Sequence, residues 1–121
     1  MKVTKDLVAA SATPMVLGIL AEGESYGYAI LRRINELSGG ELEWTEGLLY
    51  PLLHRLERLG HLDSSWQSVA GERKRKYYRV TDRGLAELAE QRRQWDTVVG
   101  ALREIWHDRT PLAVNRLEGL A

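Results

Sequence analysis

Five basic side chains stand close together between residues 71 and 80, in the stretch GERKRKYYRV: Arg73, Lys74, Arg75, Lys76 and Arg79. The stretch contains one acidic residue, Glu72, so its net charge is +4. In the whole chain, by contrast, the 17 basic and 17 acidic residues cancel. Such a cluster can bind nucleic-acid phosphates, because each contact releases condensed counterions. The alternative is a solvated strand edge that lysine and arginine protect from aggregation.

Residue patterns typical of enzymes are missing from the sequence. The histidines, His54, His61 and His107, show no metal-ligand spacing and lie beside no nucleophile motif. With no cysteine, the chain has no disulfide, no thiolate nucleophile and no cysteine-based metal site. No glycine-rich loop matches a nucleotide-binding fingerprint. We therefore predict that the protein is not an enzyme and uses neither a cofactor nor a metal.

Length and hydropathy indicate a single soluble domain with an appended helix. The 121 residues suffice for one compact core. No apolar run approaches the roughly 18 to 20 residues of a membrane span, and the N-terminal MKVTKDLVAAS lacks a signal-peptide core. The absence of cysteine is typical of a reducing cytosol. We expect a cytoplasmic protein with no membrane partner.

The elements that would position the basic cluster centre on residues 47–62, GLLYPLLHRLERLGHL. At helical periodicity one face consists of leucines: Leu49, Leu52, Leu53 and Leu56. The opposite face gathers other residue types: Gly47, Tyr50, His54 and Arg58. Thr45 is a suitable N-cap, and Gly60 stands where a left-handed residue ends a helix. The pattern predicts a DNA-recognition helix, in which one face packs and the other reads bases.

Pro51 leaves a second interpretation of this helix open. A proline cannot donate a hydrogen bond to the carbonyl of Gly47, and the missing Cβ of Gly47 leaves room for another molecule. An amphipathic core helix with a tolerated proline would show the same pattern.

Two more helices are predicted before the recognition helix. Residues 5–20 form the first, and Pro14 fits if that helix starts near Ser11 or Thr13. Ser25 is the expected cap of the second, which Gly39 and Gly40 end. Its apolar positions recur at helical spacing: Ile30, Leu31, Ile34 and Leu37. A short link, residues 41–45, then makes a helix-turn-helix unit.

A β-hairpin is predicted after the recognition helix. HLDSSWQ (61–67) and KYYRV (76–80) are rich in strand formers, and SVAGE (68–72) supplies a turn. The basic cluster therefore lies on a wing beside the recognition helix. We expect Trp44 and Trp66 to support this winged domain.

The last predicted helix begins at Thr81 and runs to about Asp108, with the tail 110–121 either a short helix or frayed. Its apolar seam has heptad spacing interrupted by one arginine: Leu85, Leu88, Arg92, Trp95, Val99, Leu102 and Trp106. At about 1.5 Å per residue this helix would reach about 40 Å, too long for a small monomer to cover. The seam predicts pairing with a second copy.

Three segments together resemble the PadR-like family of winged helix-turn-helix regulators: SYGYAI, GLLYPLLHRLERLGHL and RKRKYYRVTDRG. The resemblance covers about residues 10–85. It implies a mainly α fold with a small β-hairpin. Residues 1–81 would form the DNA-binding domain, whose N-terminal helix could join the dimer interface, and residues 82–121 the C-terminal dimerisation helix and tail. It also implies a homodimer that binds inverted-repeat operators in double-stranded DNA and usually represses transcription.

The resemblance also assigns site residues. Those for DNA are Thr45, Gly47, Tyr50, Pro51, Arg55 and Arg58 on the helix and Arg73, Lys74, Arg75 and Lys76 on the wing. His54 joins them because it lies on the outer helix face, where simple solvation is the alternative. The dimer residues come instead from the heptad seam: Leu88, Trp95, Val99, Leu102 and Trp106. Short-form relatives sandwich planar aromatic effectors between two tryptophans, and Trp95 matches that place, although a tryptophan on a seam is also a common core residue. A winged-helix protein-interaction module without DNA binding remains the alternative, favoured by the neutral total charge.

Overall fold

A computed structural model describes residues 1–68, 70–71 and 73–107, and within them the chain forms five helices and three strands. In chain order these are α1 (Lys5–Ala10), α2 (Ala12–Glu22), β1 (Ser25–Tyr26), α3 (Gly27–Ser38), α4 (Glu46–Arg58), β2 (Leu62–Gln67), β3 (Arg75–Val80) and α5 (Asp82–Trp106). The predicted fold class, mainly α with a small β-hairpin and a long C-terminal helix, is confirmed.

The N-terminal helical region is divided at Ser11. The Thr4 side chain accepts a hydrogen bond from Leu7 N and caps α1. The Ser11 hydroxyl donates to the Leu7 carbonyl oxygen at 2.8 Å, closing that helix. Pro14 then lies in the first turn of α2, where its missing N–H is not needed. The predicted helix start near Ser11 is confirmed for α2, and the preceding residues form a separate short helix.

The ends of the helix-turn-helix unit follow from local chemistry. Gly39, in the left-handed region at φ 59°, ends α3. The Thr45 hydroxyl accepts from Leu48 N at 3.2 Å and begins α4. Gly60, at φ 81°, lies just beyond α4, where His61 N donates to the Leu56 carbonyl oxygen at 2.9 Å. The expected roles of Thr45 and Gly60 are confirmed.

The start of α3 differs from the prediction. Tyr26, and not Ser25, occupies the N-cap position, and its side chain makes no capping hydrogen bond. Ser25 lies instead in β1 and pairs with Tyr78. The sheet has the antiparallel order β1-β3-β2, and the β2–β3 register runs from Leu62 opposite Val80 to Gln67 opposite Arg75. The hairpin is as predicted, whereas the two-residue strand β1 was not expected because it is too short for a periodic signal.

The core lies where the predicted apolar faces meet. All four leucines of α4 are buried, as expected, against residues of α2 and α3 and against Leu62 and Tyr78 of the hairpin. Each buried leucine contributes about 1.5–3 kcal/mol relative to an exposed one. Trp44 is half-buried and packs on this core, which confirms its supporting role. The core therefore joins the helix-turn-helix unit and the wing.

An ion pair connects α2 to α3. The guanidinium of Arg33 donates from Nε and Nη2 to the two carboxylate oxygens of Glu22, at 3.1 and 3.0 Å. These hydrogen bonds from Arg33 hold the pKa of Glu22 below its ordinary value. The same contact raises the pKa of Arg33, so both groups stay charged.

The beginning of α5 is anchored to the end of α4. The Thr81 hydroxyl donates to the Gly60 carbonyl oxygen at 2.7 Å and accepts from Gly84 N at 3.0 Å. Thr81 is thus the cap that the sequence predicts. The chain divides into two units between Ala89 and Glu90, inside α5. The expected helix end at Asp108 and the tail 110–121 lie outside the described residues.

The residues that the structure describes offer neither a membrane-spanning helix nor a metal-binding cluster. None of their helices has the length and apolar character needed to cross a membrane. Nor do three of their histidine, aspartate or glutamate side chains gather where they could hold a metal ion.

Candidate nucleic-acid interface

The outer face of α4 carries most of the residues predicted to contact DNA. The exposed ones are Thr45, Gly47, Pro51, His54, Arg55 and Arg58. They lie opposite the buried leucines, because about half a turn of helix separates the positions of the two faces. At Gly47, a Cβ would have only the Thr45 hydroxyl within 4 Å, at 3.7 Å. The backbone there is therefore open to close approach by another molecule.

One edge of this face borders the N-terminal helices. A shallow cavity of about 420 Å³ lies there between α4 and residues of α1 and α2, including Ala9 and Thr13. The Arg55 guanidinium donates to the Thr13 hydroxyl at 3.5 Å. Arg55 is exposed, and this long contact places its guanidinium beside α2.

Tyr50 lies at the opposite edge of α4 and is half-buried. Its ring packs against the core, and a Cβ at Gly27 would overlap its hydroxyl and lie 2.6 Å from its Cζ. Gly27 therefore makes room for Tyr50. The sequence pattern places Tyr50 on the outward face, but its packing puts it at the boundary between the buried and outer faces.

The wing cations have different surroundings. Arg73 and Lys74 are exposed near the hairpin turn, which includes Ala70 and Gly71, both with positive φ. The Arg75 guanidinium lies 4.5 Å from the centre of the Tyr26 ring. Arg79 lies 3.6 Å from the Asp63 carboxylate. These basic residues are close together in the sequence but have different neighbours in the fold, because successive side chains of a strand point to opposite faces of the sheet.

Lys76 is held against α4 by Glu57, a residue that the sequence pattern did not single out. Lys76 Nζ lies 3.6 Å from Glu57 Oε1, and the Ser64 hydroxyl donates to Glu57 Oε2 at 2.6 Å. Glu57 thereby connects the recognition helix to both wing strands. Only the strand register brings Ser64 and Lys76 together, so no sequence spacing could have shown this contact.

Tyr78 lies beneath the same cluster. Burial raises the pKa of its hydroxyl, while the nearby Lys76 ammonium, 5.3 Å from the ring centre, opposes that effect. Tyr78 therefore stays neutral at physiological pH and serves as a core residue of β3.

A groove of about 640 Å³ lies between α4, the start of α3 and the wing. Its aromatic lining residues are Tyr26, Tyr28, Tyr50, Trp66 and Tyr78, and its charged ones are Arg73, Lys74, Arg75 and Lys76. Among the described residues, every charged residue that lines the groove is basic. Trp66 is 63% exposed and Tyr28 is 61% exposed. The expectation that Trp66 supports the domain is wrong, because its side chain is mostly exposed. The register places Trp66 opposite Lys76, on the same face of the sheet as Leu62 and Tyr78, but nearer the hairpin turn than these two core residues.

The predicted seam residues of α5 are partly accessible. Leu88 is half-buried and packs on the core of its own chain. In the unit that begins at Glu90, Trp95, Val99 and Leu102 are half-buried, and Trp106 is 56% exposed. Two further apolar side chains on that helix, Val98 and Ile105, are also exposed.

Comparisons with known proteins show which family the chain resembles in sequence and in fold. A sequence model described as the transcriptional regulator PadR-like family matches residues 16–90. A transcriptional regulator of Mycobacterium tuberculosis is 41% identical over 78 residues, which cover 64% of this chain and 69% of that protein. The structure of a PadR family transcriptional regulator from Eggerthella lenta is similar with a TM-score of 0.72 and 33% identity, over 83% of this chain and 85% of that chain. A transcriptional regulator from Clostridium thermocellum gives a TM-score of 0.77 at 26% identity, over 84% and 96%.

Proposed function

The chain belongs to the PadR-like family of transcriptional regulators, and from this premise we propose that it is a homodimeric repressor that binds an inverted-repeat operator in double-stranded DNA. The proteins that it resembles are transcriptional regulators and not enzymes. The observation that carries the proposal is the exposed cationic wing next to the exposed face of α4. In this proposal residues 1–81 bind DNA and residues 82–121 dimerise.

The two surfaces have different tasks in the proposal. Arg73 and Lys74 are exposed and can reach backbone phosphates, which fixes position without reading sequence. His54, Arg55 and Arg58 on the outer face of α4 can reach base edges in the major groove. Lys76 is already paired with Glu57 and has the smaller role in phosphate contact.

Homodimer formation is supported by the apolar residues of α5. Exposed or half-buried tryptophans and aliphatic residues recur along it at heptad spacing, and a second copy of the helix is the natural partner. A two-fold axis relates the subunits, so the preferred site is an inverted repeat with half-sites about one helical turn apart.

The test is fluorescence anisotropy on an operator selected from random duplexes, compared with its scrambled sequence at several salt concentrations. Wild type should prefer the operator and weaken steeply as salt rises. Lys74→Ala should reduce the slope of log K against log salt by about 0.9 per lost phosphate contact, hence about 1.8 for a homodimer. Arg79→Ala is the matched control, because Arg79 lies on the same hairpin but pairs with Asp63 outside the groove. Equal affinity for operator and scrambled DNA would refute sequence-specific binding and favour a protein-interaction module.

We further propose that Trp95 stacks on a planar aromatic effector that releases the operator. The two-fold axis of a homodimer would supply a second indole opposite the first. Titration with a planar cationic dye, followed by tryptophan emission, tests this proposal. Saturable quenching that is lost in Trp95→Ala but kept in Trp106→Ala, together with operator release, is the expected result; equal quenching in both variants would make Trp95 a packing residue only.

A further inference from the structure

We propose that Trp66 and Tyr28 are uncharged DNA-contact residues that grip the sugar-phosphate backbone between the recognition helix and the wing. This inference rests on the proposed DNA binding and extends it to two residues outside the predicted recognition helix and basic run.

The first observation is the exposure of these two side chains at one place. Trp66 projects from β2 and Tyr28 from the first turn of α3, and both line the groove of about 640 Å³. They are 63% and 61% exposed. Single exposed apolar residues are ordinary, but two large aromatic rings in one groove form a surface suited to a partner.

The second observation is the charge around the rings. Trp66 lies opposite Lys76 in the sheet register, and Arg73 and Lys74 line the same groove. The Arg32 guanidinium lies 5.7 Å from the centre of the Tyr28 ring, so a cation also flanks the second aromatic residue. Since the charged lining residues that the structure describes are all basic, the groove suits a polyanion that also offers apolar surface.

A DNA strand has this combination of features. Phosphates along a strand alternate with deoxyribose rings, whose faces are apolar and can pack on a flat indole or phenol. The groove is also continuous with the recognition helix, because Tyr50 belongs to α4 and lines the groove. A strand that passes from α4 to the wing would meet the cations with its phosphates and the aromatic rings with its sugars.

The test separates this contact from a charge contact by salt dependence. Trp66→Thr keeps a good strand former in β2, and Tyr28→Ala removes the second ring. Leu37→Ala is the control, because Leu37 is 59% exposed on α3 and does not line the groove. We expect Kd for the selected operator to rise about tenfold for each aromatic variant, which is in the lower part of the range for an aromatic side chain stacked on a base. The salt slope should stay unchanged, because an uncharged side chain releases no counterion.

The outcomes are distinct. A raised Kd with an unchanged slope, and wild-type affinity for Leu37→Ala, supports the inference. Wild-type affinity for Trp66→Thr and Tyr28→Ala overturns the inference and leaves the proposed function intact. A reduced salt slope in these variants also overturns the inference, because it would mean that the wing cations had moved. A change in sedimentation mass of the variants without DNA would identify the occupant as a second copy and overturn it as well. Failure of the wild-type protein to bind DNA would overturn both proposals.

Discussion

Gly84→Ala in the first turn of α5 should destabilise the protein, although alanine is the better helix former. Gly84 is buried where α5 packs on the end of α4. A Cβ at this position would overlap the carbonyl oxygen of His61, lie 2.7 Å from Val80 Cγ2 and lie 3.1 Å from the His61 carbonyl carbon. Two of these three atoms belong to the backbone, so no side-chain rotation relieves the overlap.

The size of the effect follows from opposing contributions. Alanine in place of a helical glycine normally stabilises by about 1 kcal/mol. Overpacking costs about 1–3 kcal/mol. Moving the His61 carbonyl would also weaken the hydrogen bond that it accepts from Thr81 N at 3.1 Å, which is worth about 0.5–1.5 kcal/mol. We expect the free energy of unfolding to fall by about 0.5–3.5 kcal/mol in total.

Urea denaturation at a fixed protein concentration measures this loss as a lower midpoint with an unchanged m-value. Gly18→Ala is the matched control, because a Cβ at Gly18, inside α2, would have no heavy atom within 4 Å. That variant should gain about 0.5–1 kcal/mol. If Gly84→Ala is as stable as wild type, or if both variants change in the same direction, the packing argument is refuted.

Three further outcomes are expected. Gly27→Ala should lose less stability than Gly84→Ala, because the overlapping Tyr50 ring is a half-buried side chain that can turn away; equal urea midpoints would contradict this. Glu22→Gln removes the carboxylate of the α2–α3 ion pair. Because the pKa of Glu22 is lowered in the folded protein, the ion pair stabilises the fold above about pH 4.5, and this stabilisation is lost as the pH falls through the lowered pKa. The difference from wild type in denaturation midpoint should therefore shrink on acidification, and a constant difference would exclude the ion pair as its cause. Joint Val99→Asp and Leu102→Asp substitution places charge in the apolar seam and should yield monomer or unfolded chain in sedimentation; an undiminished dimer mass would count against α5 as the interface.

Local chemistry explains the features that could be predicted from sequence. Thr45, Gly60 and Thr81 mark helix ends through interactions with residues a few positions away, so their types and spacing suffice. The buried face of α4 follows from helical periodicity, because four leucines at that spacing must share one side. The same reasoning placed His54 and Arg58 on the exposed side.

Features that depend on strand register and packing could not be predicted in this way. Strand β1 has two residues and exists because β3 offers it an edge. The contact of Glu57 with Lys76 joins residues 19 positions apart on different elements. Trp66 shares a face of β2 with the buried Leu62 but is exposed, because the residues that cover that face come from other elements and do not extend over Trp66.

The sequence by itself therefore determined the helices, the hairpin, the leucine core and the presence of a basic wing, since each follows from periodicity or from nearest neighbours. Tertiary structure decided which neighbours each wing cation has, where Tyr50 lies, and that Trp66 and Tyr28 share one groove. The physical reason is that a side chain's environment depends on residues brought near it by packing, and those residues are distant in the chain.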